Sequence, residues 1–312
     1  MNLYLGIDLG GTFIKGGICN SYGEILVHDS LPTEVEGGNY KVVENICMLA
    51  RFLCEKINVR LSDCVGMGVG VPGMIDSYLG EVIFAGNLGF ENFKLRDELE
   101  RELQIRVFIA NDANVAALGE AKFGAGKDYR DSVLITLGTG VGGGIIINDK
   151  IFAGNRSAGA EIGHMIINMN GKPCTCGLNG CFEAYASATA LVKLTKEKML
   201  KDKQSVLWKI GLDNIDGASA FKYKDIDDTA REVVEEYLDC LAVGVANIAN
   251  VFRPQAILLG GGISNEGDNL IVPLRERLDK MIFAGDKGPI VELKIASLKN
   301  KAGLLGACAL LM

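Results

Sequence analysis

The stretch IDLGGTFIKGGI (Ile7–Ile18) returns in altered letters as ITLGTGVGGGII (Ile135–Ile146). Laid over each other without gaps, the two place Leu9 on Leu137, Gly10 on Gly138 and Gly16 on Gly144. Each is an apolar run, a glycine-rich break and a second apolar run, which reads as strand, tight turn, strand. A further turn at Asn20–Gly23 closes the first hairpin, and its counterpart falls near Asn148–Lys150. After the first hairpin, Val43, Ile46, Cys47, Ala50 and Leu53 sit at helical spacing within Tyr40–Lys56. A buried strand ending in a turn follows at Val65–Gly73, then a helix at Lys94–Gln104 and a strand at Arg106–Ala110. In the second half the helical stretch Arg231–Phe252 feeds the strand and glycine turn Ala256–Gly262, echoing that order. One short match could be chance, but the matching order of elements favours duplication. The fold class expected is α/β, with two related domains facing each other across a cleft. The 312 residues suit two domains of roughly 100–200 residues each.

Charge and composition narrow the partners. Lys and Arg total 32 against 39 Asp and Glu, a formal net charge of −7, with no basic run longer than a pair. Nucleic acid and anionic membrane surfaces are therefore not expected, since both depend on clustered positive charge. The opening MNLYLGIDLGG lacks the basic-then-apolar form of a signal peptide, and no apolar run approaches the roughly 20 residues of a membrane helix. The nine cysteines are an odd number, and several, such as Cys19, Cys47 and Cys240, lie in apolar surroundings. That pattern fits free thiols in a reducing, cytoplasmic setting rather than a disulfide framework. A lysine-rich region over 191–228 holds the only tryptophan, Trp208; its helical pattern is weak, and either a surface excursion or a subunit contact fits.

Both DLGGT (Asp8–Thr12) and LGTGVGGG (Leu137–Gly144) end a buried strand in a glycine turn. Glycine lets backbone N–H groups approach an anion closely, and Thr12 and Thr139 add hydroxyl donors, so two such turns could grip one polyphosphate. Gly260, Gly261 and Gly262 would give a flat backbone surface for a nucleotide. Hairpin and bulge glycines without a ligand are the competing reading. A dinucleotide fingerprint in GMGVGVPG fails because Pro72 stands where a helix must open, and no GK[ST] of a P-loop occurs.

Asn111 and Asp112 begin the alanine-rich helical stretch after a strand. On residues alone they favour an N-cap, although a carboxylate at the C-terminal edge of a strand is also where α/β folds place chemistry. Asp112 could then accept a proton from an attacking hydroxyl. The densest chemical signal is His164-x9-Cys174-x-Cys176-x4-Cys181, one imidazole and three thiols, the ligand set of a closed tetrahedral zinc site. Such a site would bring Glu161 and Glu183 into one neighbourhood, where two carboxylates and an imidazole N–H suit sugar hydroxyls. Solvated surface charges are the plainer alternative for both glutamates.

Together, these motifs resemble the ROK family of sugar kinases and repressors, members of the actin-like ATPase (ribonuclease H-like) fold. The resemblance runs from DLGGT to GLLGACALL, and CTCGLNGCFE with its upstream EIGH is its most specific part. It implies an N-terminal α/β domain over 1–112, with the C-terminal helix 300–312 packing back on it, and a zinc-bearing α/β domain over 113–299. It implies Asp112 as catalytic base, and Gly73, Asn87 (in GNLGF), Asn111, Asp112, Glu161, His164 and Glu183 around the sugar. Asp8, Gly10, Gly11, Thr12, Thr139 and Gly140 match the phosphate and magnesium region, and Gly260, Gly261 and Gly262 the adenosine side. His164, Cys174, Cys176 and Cys181 match the structural zinc ligands. Phe13 stands where many members carry a lysine; Lys15, on the same face at a different depth, is kept as a nucleotide-side candidate. The implied activity is ATP- and Mg2+-dependent phosphorylation of a hexose 6-hydroxyl, most like glucose to glucose 6-phosphate. Kinases for N-acetylmannosamine, N-acetylglucosamine, fructose or allose share the core motifs. A non-catalytic sugar sensor is the other class; repressors place a DNA-binding helix-turn-helix before the first phosphate turn, and Asp8 stands too near the start for one. A homodimer with sugar and ATP as small-molecule partners is also implied.

Overall fold

The computed structural model describes residues 2–312. In chain order the strands are β1 (Leu3–Leu9), β2 (Phe13–Asn20), β3 (Ile25–Pro32), β4 (Cys64–Val71), β5 (Met74–Asp76), β6 (Glu81–Ala85), β7 (Phe90–Phe93) and β8 (Val107–Asn111), followed by β9 (Ser132–Leu137), β10 (Val141–Ile147), β11 (Lys150–Phe152), β12 (Ala256–Gly260) and β13 (Glu292–Ile295). The helices are α1 (Asn39–Lys56), α2 (Leu95–Leu103), α3 (Asp112–Phe123), α4 (Glu183–Ala186), α5 (Ala188–Lys201), α6 (Ser219–Tyr223), α7 (Asp228–Phe252), α8 (Asp268–Met281) and α9 (Ala302–Ala309).

The repeat seen in the sequence is a repeat of topology. One sheet runs β3-β2-β1-β4-β8 and the other β11-β10-β9-β12-β13, the same order twice. In each, an antiparallel hairpin leads into parallel strands. The gapless overlay also holds at the strand ends: β1 and β9 stop at Leu9 and Leu137, and β2 and β10 begin at Phe13 and Val141. Asn148 and Asp149 both take positive φ, 52° and 64°, as the tight β10–β11 hairpin requires.

The chain divides into two compact units. One comprises the chain up to Asp131 together with Gly144–Ala160 and Ser297–Met312; the other comprises Ser132–Gly143 and Glu161–Ala296. The expected boundary at 112 thus becomes a division that keeps α3 with the first unit. Close backbone packing is the reason: a Cβ added at Gly306 of α9 would lie 1.8 Å from the Val115 carbonyl oxygen of α3, and one at Gly68 of β4 would lie 1.8 Å from that of Ala307. Only residues without side chains let α3, α9 and the first sheet meet at that distance. On the sheet's other face, Ile7, Leu9, Ile14 and Val69 form a continuous core with Ile46, Leu49 and Leu53 of α1. In the second unit, residues 191–228 are folded rather than an excursion. Met199, Leu207, Ile215 and Ala230 bury a small core, and the Trp208 indole donates to the Asp202 carbonyl at 2.9 Å. No described helix is long and apolar enough to cross a membrane.

Candidate active site

The first glycine turn joins β1 to β2. The Gly10 N–H donates to the Phe13 carbonyl at 3.0 Å, closing the turn. Its other carbonyls are drawn inward by one buried residue at the end of β3. The Thr33 hydroxyl donates to the Gly10 carbonyl at 2.7 Å, and the Thr33 N–H donates to the Thr12 carbonyl at 2.9 Å. With these carbonyls occupied, the turn can present N–H groups to an anion. Asp8 pairs across the strands with Lys15, so alternation puts both side chains on one face. Burial pushes the Asp8 carboxyl above the usual carboxylate range, and the Lys15 charge partly offsets this. A half-buried carboxylate of that kind is suited to a nearby cation. Asn87 lies beside the same turn: a Cβ on Gly11 would be 3.5 Å from the Asn87 carbonyl oxygen. Phe13 is half-exposed.

At the end of β8 the cap and the candidate base are adjacent but distinct. Asn111 is the N-cap of α3, its Oδ1 accepting from Ala113 N–H at 3.0 Å and Asn114 N–H at 3.2 Å. Its Nδ2 donates to the Gly73 carbonyl at 3.0 Å, which uses one of two amide hydrogens. Gly73 takes φ 108°, a conformation that favours glycine. Asp112 is the first helical residue, and one of its carboxylate oxygens accepts from the Ala113 N–H at 2.9 Å. The capping duty therefore falls on Asn111, and Asp112 is held beside it.

In the second unit, one ligand atom from each of His164, Cys174, Cys176 and Cys181 lies within 4.8 Å of the others. The Cys176 and Cys181 sulfurs are 3.6 Å apart, and Cys174 Sγ is 3.8 Å from His164 Nδ1. The edge of a tetrahedron with zinc–sulfur bonds of normal length is about 3.8 Å, so the four residues fit a zinc ion. The loop is a knuckle: the Cys174 N–H donates to the Leu178 carbonyl and the Gly177 N–H to that of Cys174. Gly180 takes φ 80°, and a Cβ there would sit 1.7 Å from the Asn168 carbonyl oxygen. Burial pushes the Cys181 thiol up to about 12, whereas backbone N–H donation from Leu178 lowers that of Cys176. His164 and the exposed Glu161 share one short turn, the His164 N–H donating to the Glu161 carbonyl at 3.0 Å.

Directly after the knuckle, Glu183 opens α4, which is anchored from behind by the buried Tyr237 hydroxyl donating to the Ala186 carbonyl at 2.8 Å. One Glu183 oxygen accepts from the Thr175 hydroxyl at 3.2 Å, with Cys174 Sγ 3.6 Å away. The other accepts from the Val141 N–H at 3.0 Å, at the second glycine turn. Glu183 is thus no free surface charge; it ties the knuckle to Gly138–Val141. The start of α5 holds the same turn, with Ala188 N–H on the Gly138 carbonyl and the Thr189 hydroxyl on that of Thr139, both at 2.8 Å. Gly261, at the end of β12, packs on the peptide of Leu137, its missing Cβ 2.4 Å from that carbonyl oxygen. The Gly260–Gly262 stretch and the Thr139–Gly140 turn therefore adjoin.

The ROK family profile matches residues 4–312. The chain belongs to the ROK family. Among its relatives, the glucokinase of Halalkalibacterium halodurans is 37% identical over 97% of this chain and 93% of that protein. The xylose repressor of Caldicellulosiruptor bescii is 30% identical, over 99% of this chain and 77% of the repressor. Among solved structures, the ROK glucokinase of Streptomyces griseus, crystallised with glucose and AMPPNP, aligns over 99% of both chains with a TM-score of 0.79 and 35% identity. The actin-like ATPase fold of the ROK family is the fold of this chain.

Sequence reasoning named the turns and the cluster but missed the residues that hold them: Thr33, Thr175, Ala188 and Thr189. Thr175 stands inside CTCGLNGCFE without having been given a role there, and only the position of Thr33 at a strand end and of Thr189 at a helix start hinted at one.

Proposed function

We propose that this ROK-family chain is an ATP-dependent hexose kinase that phosphorylates the 6-hydroxyl of glucose. The observation that carries the reading is the placement of Asp112, immediately after β8, in the first turn of α3, beside an Asn111 locked by its cap and by Gly73. The likeness to glucokinases, one of them crystallised with glucose and AMPPNP, supports the choice of substrates.

In this reading Asp112 accepts the 6-hydroxyl proton as that oxygen forms its bond to the γ-phosphorus. The bond to the bridging oxygen breaks in line, and ADP leaves. The N–H groups of Gly11–Thr12 and Thr139–Gly140, with the Thr12 and Thr139 hydroxyls, bind phosphate oxygens, while the Gly10 N–H is spent on the Phe13 carbonyl. Gly260–Gly262 receive the adenosine, and Asp8, with Lys15 beside it, would hold Mg2+. Asn87, Asn111, Glu161, His164 and Glu183 recognise sugar hydroxyls. Zinc bound by His164, Cys174, Cys176 and Cys181 would supply a cross-link and no chemistry. A homodimer in the cytoplasm completes the reading.

A coupled ADP-release assay over glucose, N-acetylmannosamine, N-acetylglucosamine, fructose and allose tests it. Glucose is expected to give the highest kcat/KM. Similarity to a xylose repressor favours one second reading, a sugar sensor without turnover; sugar binding with no ADP release from any hexose would establish that instead.

A further inference from the structure

We propose that Glu183 is a positioning residue for the nucleotide turn, and that the zinc knuckle acts on ATP binding through it, a role that rests on the kinase reading above. Its carboxylate spans two elements that the sequence leaves far apart. One oxygen is fixed from the knuckle by the Thr175 hydroxyl at 3.2 Å. The other accepts from the Val141 N–H at 3.0 Å, the residue directly after Gly140. The fit is tight, because a Cβ on Gly140 would stand 2.3 Å from that second oxygen. A side chain at Gly140 would therefore push the Glu183 carboxylate off its present seat.

The same segment holds the turn's other side. Ser187 caps α5, its Oγ accepting from the Ala190 N–H at 3.0 Å, and this presents the Ala188 N–H and Thr189 hydroxyl to the Gly138 and Thr139 carbonyls. Glu183 and α5 therefore grip opposite polar groups of one turn, an N–H on one side and two carbonyls on the other. What remains for an anion is the N–H set of Thr139 and Gly140, whose direction depends on both grips. Loss of the Val141 bond would let the turn rotate and misdirect those donors. A carboxylate beside a polyphosphate also carries a repulsive cost, so the hydrogen-bond geometry of Glu183, and not its charge, should be what serves the nucleotide.

The experiment is titration of Mg-AMPPNP into zinc-loaded protein without sugar, which removes any contribution from sugar contacts. Amide hydrogen exchange over residues 138–141 is followed in parallel. Glu183→Ala is expected to weaken nucleotide binding about ten-fold or more, the worth of one charge-assisted hydrogen bond, and to speed exchange at Val141. Thr175→Val, which leaves the carboxylate in place, should cost about three-fold. Glu183→Gln, which can still accept from Val141, should bind nucleotide like wild type while losing glucose affinity. Zinc removal should speed exchange at the same amides. If Glu183→Ala and Thr175→Val both bind AMPPNP as wild type does, with unchanged exchange, the positioning role is overturned and the kinase reading stands. If wild type binds no nucleotide, both fall together.

Discussion

The two glycine turns occupy equivalent places in sheets of identical strand order, yet they are held by different means. The first is braced locally: Thr33, at the end of the adjoining strand and fully buried, takes the carbonyls of Gly10 and Thr12. The second is braced from a distance by Glu183, Ala188 and Thr189, all C-terminal to the cysteine–histidine knuckle. A further difference precedes the turns, where Asp8 of β1 overlays the uncharged Thr136 of β9. A duplicated strand-turn-strand unit thus fixes where a turn goes without fixing what orients its donors. One copy has a carboxylate and a self-contained brace, while the other depends on a side chain tied to the cysteine–histidine loop.

The sharpest break of that comparison concerns chemistry. If Asp112 takes the proton and Glu161 only recognises a hydroxyl, Asp112→Ala should lower kcat by about 10²–10⁴ with glucose binding retained in calorimetry. Glu161→Gln should instead act chiefly on KM. A near-wild-type kcat for Asp112→Ala removes the base assignment. Next in size, Cys176→Ser should release zinc, measured by elemental analysis, and weaken sugar affinity by about ten-fold or more. It should speed amide exchange at 138–141 and leave 10–13 unchanged; equal disturbance of both turns would show that the braces are not independent.

The braces themselves can be compared by isosteric substitution. Thr33→Val leaves the half-buried Gly10 carbonyl without its donor and should cost about 1 kcal/mol in urea unfolding. Thr189→Val, at a residue whose hydrogen bond is exposed, should cost under about 0.5 kcal/mol and show itself mainly as a higher KM for ATP. The smallest effect is one of pH. Because burial raises the Asp8 pKa, the native state holds that proton more tightly than the unfolded chain does. Its stability contribution is greatest below the ordinary carboxylate range and is lost as pH rises through the raised native value. Asp8→Asn is therefore expected to raise the melting temperature at pH 7, with the gain shrinking in acid. Thr136→Asn, its counterpart, should show no such pH dependence.

Elements whose cause is local could be read in advance. The apolar runs and glycine breaks around Ile7–Ile18 and Ile135–Ile146 became β1–β2 and β9–β10 with their ends in the expected register. Helix α1 was legible from its periodicity, and the polar pair after β8 from capping chemistry. His164, Cys174, Cys176 and Cys181 converge because a few turns of one short segment suffice to bring them together. The weakly periodic 191–228 region was not legible, since short 3-10 turns and a small core of Met199, Leu207, Ile215 and Ala230 leave no repeat to detect.

By itself, then, the sequence determined the doubled α/β plan, the two turns and the thiol–imidazole cluster, because periodicity, glycine and capping act over a few residues. Only the tertiary structure decided that α3 stays with the first unit, that Thr33 and Glu183 orient the turns, and that Gly140 lies against a carboxylate. Those contacts join residues far apart in the chain, and their partners are chosen by packing rather than by any preference the residues carry alone.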